Sequence, residues 1–194
     1  MGEIIIVGDN DGYGFGVPDN GTGVIWPGLG PSGSSYDGRS AAEASAINGA
    51  QFTDVYSALY PGFGPNPSEI GSFIFPLSQP MLSAVLTIDM GDFQASDFGQ
   101  VAVDINGIAQ PNMFNFQDGF QNTVVRSFPI GASEIAAANL AGQLLLTVNH
   151  TGSADFIAFD YLELNTTAVP EPAAMILLGS GLVGLIGFRR KLRK

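Results

Sequence analysis

Ser83-Ala84-Val85-Leu86-Thr87-Ile88-Asp89-Met90 decides the fold class of this 194-residue chain. Residues 84, 86, 88 and 90 form one apolar face at a period of two, the spacing of a strand with one side buried. Val101-Ala102-Val103-Asp104-Ile105 repeats the pattern at its odd positions, and Asn106-Gly107 follows as a tight-turn signal. Further candidate strands are Glu3 to Val7, Gln51 to Val55, Ser72 to Phe75, Asn122 to Phe128, Leu144 to Asn149 and Asp155 to Leu164. Runs of this kind, separated by turn residues, predict an all-β body over residues 1–165, a β-sandwich or jelly roll. Two short helices interrupt it. Ser40-Ala41-Ala42-Glu43 is a capping box stopped by Asn48-Gly49, and a second helix runs from about Glu134 to Ala141, capped by Ser133 and closed by Gly142.

Composition agrees. The chain is 45% apolar and 13% charged, with 26 Gly and 12 Pro, which suits many short strands and is too apolar for a disordered chain. There is no cysteine, which removes disulfides, thiolate zinc sites and cysteine nucleophiles and fits an exported bacterial protein. The net charge of −11 is unevenly placed. Of the seven bases only Arg39 and Arg126 lie ahead of Ala173, with all 18 acids; Arg189, Arg190, Lys191, Arg193 and Lys194 crowd the end. A body this acidic repels a phosphate backbone, so nucleic acid is not an expected partner and cations are.

The C-terminal segment carries a different signal. Residues 166–172 form a linker ending in Pro170-Glu171-Pro172, residues 173–188 are uncharged, and residues 189–194 are the basic cluster. As a helix the uncharged stretch spans roughly 24 Å, enough for a thin bilayer when long basic side chains snorkel at one end. Gly179, Gly181, Gly184 and Gly187 suit a lipid-exposed span better than a water-exposed helix. A helix buried in a soluble domain would show polar residues at helical spacing, and only Ser180 is polar here. The basic end is expected to stay in the cytosol, which places the body on the periplasmic side. Met1 to Val7 has no basic n-region and an apolar run of four, so it does not read as a secretory signal peptide.

The order Val169-Pro170-Glu171-Pro172, short Gly-rich apolar span, then Arg/Lys cluster resembles the PEP-CTERM sorting signal of Gram-negative bacteria. The resemblance implies an exosortase partner, a membrane-embedded cysteine protease or transpeptidase, that recognises Pro170, Glu171 and Pro172 and removes the tail. It also implies a precursor in contact with inner-membrane lipid and a product at the cell surface or outside the cell. Independently, two prolines flanking one residue forbid a helix and favour the extended chain a protease grips.

The closing strand, Asp155 to Leu164, resembles the last strand of galactose-binding-like jelly rolls, including many carbohydrate-binding modules. That likeness implies a fold and a structural calcium between an N-terminal loop and an acid of the last strand. Gly8-Asp9-Asn10-Asp11-Gly12-Tyr13-Gly14 offers hard oxygen ligands suited to Ca²⁺, though it is no EF-hand, since the twelfth position from Asp9 is Asn20. Asp160 shares the alternation of Phe156, Ala158, Leu162 and Leu164, where a lone carboxylate is costly. Asp9, Asp11 and Asp160 are therefore the candidate calcium ligands. The other reading is a turn begun by Asp9-Asn10 and a wet edge at Asp160.

Trp26, Tyr36, Tyr56 and Tyr60, with Phe63, lie in or beside Gly/Pro-rich loops where rings could stack on sugars or cover a core edge. His150, the sole histidine, reads as an exposed strand end, so no catalytic residue is assigned. Acids are plentiful enough to leave a paired-carboxylate hydrolase open. The expectation is a non-enzymatic surface or extracellular-matrix protein, the alternative an exopolysaccharide-binding module displayed by the same route.

Overall fold

The structure, a computed structural model, describes residues 2–24, 36–56, 70–155 and 157–169. In chain order its strands are β1 (Ile4–Gly8), β2 (Tyr36–Asp37), β3 (Val55–Tyr56), β4 (Ile70–Pro76), β5 (Met81–Gly91), β6 (Ala102–Ile105), β7 (Ile108–Ala109), β8 (Thr123–Pro129), β9 (Gln143–Asn149) and β10 (Ala158–Ala168). The helices are α1 (Ala41–Ala44), α2 (Ala95–Phe98) and α3 (Ala132–Ala141). Two antiparallel four-stranded sheets, ordered β1-β10-β5-β8 and β4-β9-β6-β7, make the β-sandwich, and β2 pairs with β3 separately. The chain changes sheets at nearly every step among these eight strands, staying in one only for the β6–β7 hairpin.

Alternation decides which side chains enter the core. Leu86, Ile88 and Met90 of β5 and Leu162 and Leu164 of β10 face Phe73 and Phe75 of β4 and Leu144, Leu146 and Val148 of β9 in one buried cluster. Phe159 sits at its centre, with ring centroids 5.5 Å from Phe73, 5.9 Å from Phe93 and 5.5 Å from Phe114. Asn106 and Gly107, both at positive φ, turn β6 into β7. The free edge of β8 is covered by the segment after Val17, where Thr123 N donates to Gly21 O (3.0 Å) and Val125 N to Asn20 Oδ1 (2.9 Å), which blunts an edge open to other strands.

Several expectations require correction. Gln51 to Val55 is not one strand: Ala50–Phe52 is a 3₁₀ turn tied by Thr53 Oγ1 to Ala50 O (2.8 Å), and Asp54 turns left-handed at φ 55° before β3 begins. The last strand starts at Ala158 and runs to Ala168, with Thr166 and Thr167 paired to β5. The capping box at Ser40 forms, yet α1 ends at Ser45, ahead of Asn48-Gly49. Gly131, not Ser133, is the N-cap of α3, because Ile130 N bonds Ala84 O (3.0 Å) and fixes the helix entry earlier; Gly142 closes it as expected. The one-turn helix α2 had no sequence signal. Among the described residues no helix is long and apolar enough to cross a membrane, and the expected span 173–188 lies outside them.

Phe159→Ala removes the ring that joins both sheets and should cost about 3–5 kcal/mol in urea unfolding. Phe98→Ala, at a ring 44% exposed, should cost under about 0.5 kcal/mol. Equal small losses would contradict this account of the core.

Candidate metal centre

After β1 the chain turns through Asp9-Asn10-Asp11 into Gly12-Tyr13-Gly14-Phe15-Gly16. Gly12, Tyr13 and Gly14 all have positive φ, so this is a tight left-handed loop, closed by Gly16 N to Asp11 O (3.1 Å) and Val17 N to Gly12 O (2.9 Å). The Asp11 carboxylate accepts the Gly14 amide. A Cβ at Gly14 would run into the Gly38 carbonyl, so only glycine fits this approach.

The loop lies on the outer face of the β1-β10-β5-β8 sheet and buries what alternation would leave in water. The register of β10 on β5 jumps between Phe159, opposite Met90, and Leu162, opposite Ile88. Asp160 and Tyr161 thus stand together opposite Asp89 in a β-bulge, and Asp160 does not share the face of Leu162 and Leu164. It is fully buried all the same. Oδ1 accepts the Tyr13 amide at 2.7 Å and Oδ2 the Gly12 amide at 3.3 Å, while the Tyr13 hydroxyl donates to Asp89 Oδ1 at 3.1 Å.

Two acidic groups result. Carboxylate oxygens of Asp9, Asp11 and Asp54 lie within 4.8 Å of one another, as do those of Asp19, Asp89 and Asp160. Asp54 and Asp89 are wholly buried; no N–H donor reaches either oxygen of Asp54, whose hydrogen-bonding neighbours are the Glu43 and Asp160 carboxyls, and Asp89 Oδ2 has no partner although the Met90 amide also faces that carboxylate. What faces Asp54 is acidic: Glu43, Asp160 and Asp11. Arg39 is near, but its guanidinium grips Asp37 (2.7 and 2.8 Å) and the Gln51 carbonyl (2.7 Å).

Electrostatics follow from that crowding. Burial, then the charges of Glu43 and Asp160, push the Asp54 carboxyl well up. Burial, then the charge of Asp160, raises Asp89 to about 7 against the pull of the Tyr13 hydroxyl. Burial raises Asp160 as well, opposed by the Tyr13 amide, the Asp54 side chain and the Gly12 amide, and burial followed by Glu43 and Asp11 raises Asp9. At neutral pH these oxygens need either protons or a cation. Sets of three carboxylates, each with a buried member, fit a hard ion with oxygen ligands, Ca²⁺ above all.

The expected triad is therefore divided. Asp9 and Asp11 come together with Asp54, while Asp160 joins Asp19 and Asp89 in the adjoining group. Asp54, Asp89 and Asp19 had no sequence signal, since a single acid in a turn or on a polar strand face reads as solvated. Tyr36 and Tyr56 are directly paired across β2 and β3; Trp26, Tyr60 and Phe63 lie outside the described residues, as do Pro170, Glu171, Pro172, Arg189, Arg190, Lys191, Arg193 and Lys194. His150 is buried at 3% exposure rather than exposed, because the turn after it docks on the α2 segment through Ala154 N to Phe98 O (2.8 Å) and Ser153 Oγ to Gly99 O (2.8 Å). That burial lowers the imidazole pKa to about 4.

These shifts fix a sign for the cation-free protein. Raised carboxyls keep protons in the fold that the unfolded chain has released, so their contribution is full below the usual carboxylate pKa and fades as pH rises through the folded value. For Asp89 the fade runs from about pH 4 to about pH 7 and amounts to roughly 4 kcal/mol. In chelator the urea midpoint should fall between about pH 4 and about pH 8. A flat or rising midpoint would contradict the shifts.

Residues 168–191 match the family described as the PEP-CTERM protein-sorting motif. No curated protein matches the chain. Among solved structures the chain is similar to the exo-β-1,3-galactanase of Phanerochaete chrysosporium with β-1,3-galactotriose, at 16% identity and a TM-score of 0.30, over 68% of this chain and 29% of that one. The protein carries, at its C-terminus, a PEP-CTERM protein-sorting motif, the signal for processing by an exosortase.

Proposed function

We propose that the chain is an exported, non-enzymatic surface or extracellular-matrix protein whose jelly-roll body is closed by a structural calcium ion held by Asp9, Asp11 and Asp54. The sorting motif at residues 168–191 carries this reading. As a precursor it is held in the inner membrane by residues 173–188 with its body in the periplasm; exosortase then acts at Pro170-Glu171-Pro172 and the body is displayed. The strand order of the two sheets supports the jelly-roll assignment. The buried Asp54 carboxyl supports the ion, because no N–H donor reaches it and its neighbours are the Glu43 and Asp160 carboxyls; ionised there without a counter-charge it costs several kcal/mol. Extracellular calcium modules work at Kd values of about 10⁻⁴ to 10⁻³ M, so such a site fills outside the cell and stays open in the cytosol.

Where a specific observation favours a second use of the body, it is the register that sets Tyr36 opposite Tyr56. Two neighbouring aromatic residues are what a carbohydrate-binding surface needs. Affinity electrophoresis in polysaccharide gels tests it: retardation that the double variant Y36A/Y56A abolishes supports sugar binding, and unaltered mobility across a panel of polysaccharides rejects it.

In a Gram-negative host with an exosortase, the product should be shortened near Glu171 and reach the surface. Deleting the exosortase, or Glu171→Ala, should leave a full-length membrane-bound form. A freely soluble product that is never cut would reject the sorting reading. Calcium at about a hundredfold over Kd should add about 2.7 kcal/mol to the stability of the body, and a melting temperature indifferent to chelator would reject the ion.

A further inference from the structure

We propose that the acidic region binds two divalent cations side by side, the second held by Asp19, Asp89 and Asp160. The inference rests on the calcium reading of Asp9, Asp11 and Asp54 given above. Asp89 is fully buried, and with Oδ1 taken by the Tyr13 hydroxyl, Oδ2 has no hydrogen-bond partner. Each Asp160 oxygen accepts one amide and keeps a further lone pair. Asp19 is exposed yet firmly placed: Thr123 Oγ1 donates to the Pro18 carbonyl (2.8 Å), and Asn20, at φ 53°, accepts from Val125 N (2.9 Å). Val125 is the cross-strand partner of Asp89. The two anchors flanking Asp19 therefore hold it over Asp89, and the three carboxylates come within 4.8 Å of one another.

Two ions match the grouping better than one. Asp19 and Asp89 belong only to the second set and Asp9 and Asp11 only to the first, with the sets adjoining at Asp54 and Asp160. Neither arginine ahead of the tail is available as a counter-charge, since Arg39 is engaged by Asp37 and Arg126 by Asp118. Three carboxylates, completed by waters and carbonyls, form a site for a hard oxygen-seeking ion such as Ca²⁺.

The test counts ions. The full-length chain in detergent, stripped with chelator, is titrated calorimetrically with Ca²⁺ and its bound metal measured by atomic emission. Two ions per chain are expected. Asp19→Asn, on an exposed loop that does not threaten the fold, should weaken one ion by about tenfold or more, equivalent to about 1.4 kcal/mol, and leave the other unchanged. Asp89→Asn, which keeps an acceptor for Tyr13, should reduce the count to one, and the double variant D9N/D11N should leave only the second ion. A wild-type count of one that D9N/D11N abolishes, or a count of two with unchanged affinities in both D19N and D89N, overturns the second site and leaves the first calcium intact; a count of one that survives D9N/D11N overturns the pair by removing the first. A count of zero overturns both.

Discussion

Asp54, Asp89 and Asp160 are removed from water, and what meets them is the Gly12 and Tyr13 amides on Asp160, the Tyr13 hydroxyl and Met90 amide on Asp89, and further carboxyls on Asp54. Three carboxyls so placed cannot all ionise without a counter-charge, because an isolated buried charge costs far more than a surface one. The rest of the outer face is organised around this constraint. Left-handed backbone at Gly12, Tyr13 and Gly14 brings amides onto Asp160, the β10 bulge turns Asp160 toward Asp89, and Asn20 pins the following segment to the edge of β8. Left-handed residues other than glycine are strained, and here Tyr13, Asn20 and Asp54 are all of that kind.

The hydrophobic core and the acidic face divide the work. Interlocked rings of Phe73, Phe93, Phe114 and Phe159 hold the two sheets together without help from an ion. The loop over Asp89 and Asp160 depends instead on charge balance, which protons supply at low pH and which, in the function proposed above, a divalent cation supplies at neutral pH. For a chain bearing a sorting motif, the proposed ion would tie completion of the fold to the compartment in which calcium is abundant.

The sandwich was legible because its strands keep one face apolar: the alternation at 83–90 and 101–105 appears in the structure as β5 and β6, and Asn106-Gly107 as the hairpin turn from β6 into β7. The acidic centre was only half legible. Asp9, Asp11 and Asp160 could be singled out from a glycine-rich turn and from an acid in an apolar strand, but the bulge that moves Asp160 to the other face leaves no mark on residue spacing. Asp89 owes its burial to what covers it, Tyr13 above all, while Asp54 and the exposed Asp19 reach their groups only through the fold, and neither kind of placement shows in residue spacing. The burial of His150 escaped for the same reason, since α2 had no signal of its own.

Amide hydrogen exchange at Gly12 and Tyr13 is the most direct measurement. With calcium present at neutral pH both amides should be protected together with those of β5; with chelator they should exchange freely while β5 stays protected. Protection at Gly12 and Tyr13 that is the same with and without calcium would mean that the buried carboxyls need no cation, and would contradict the account.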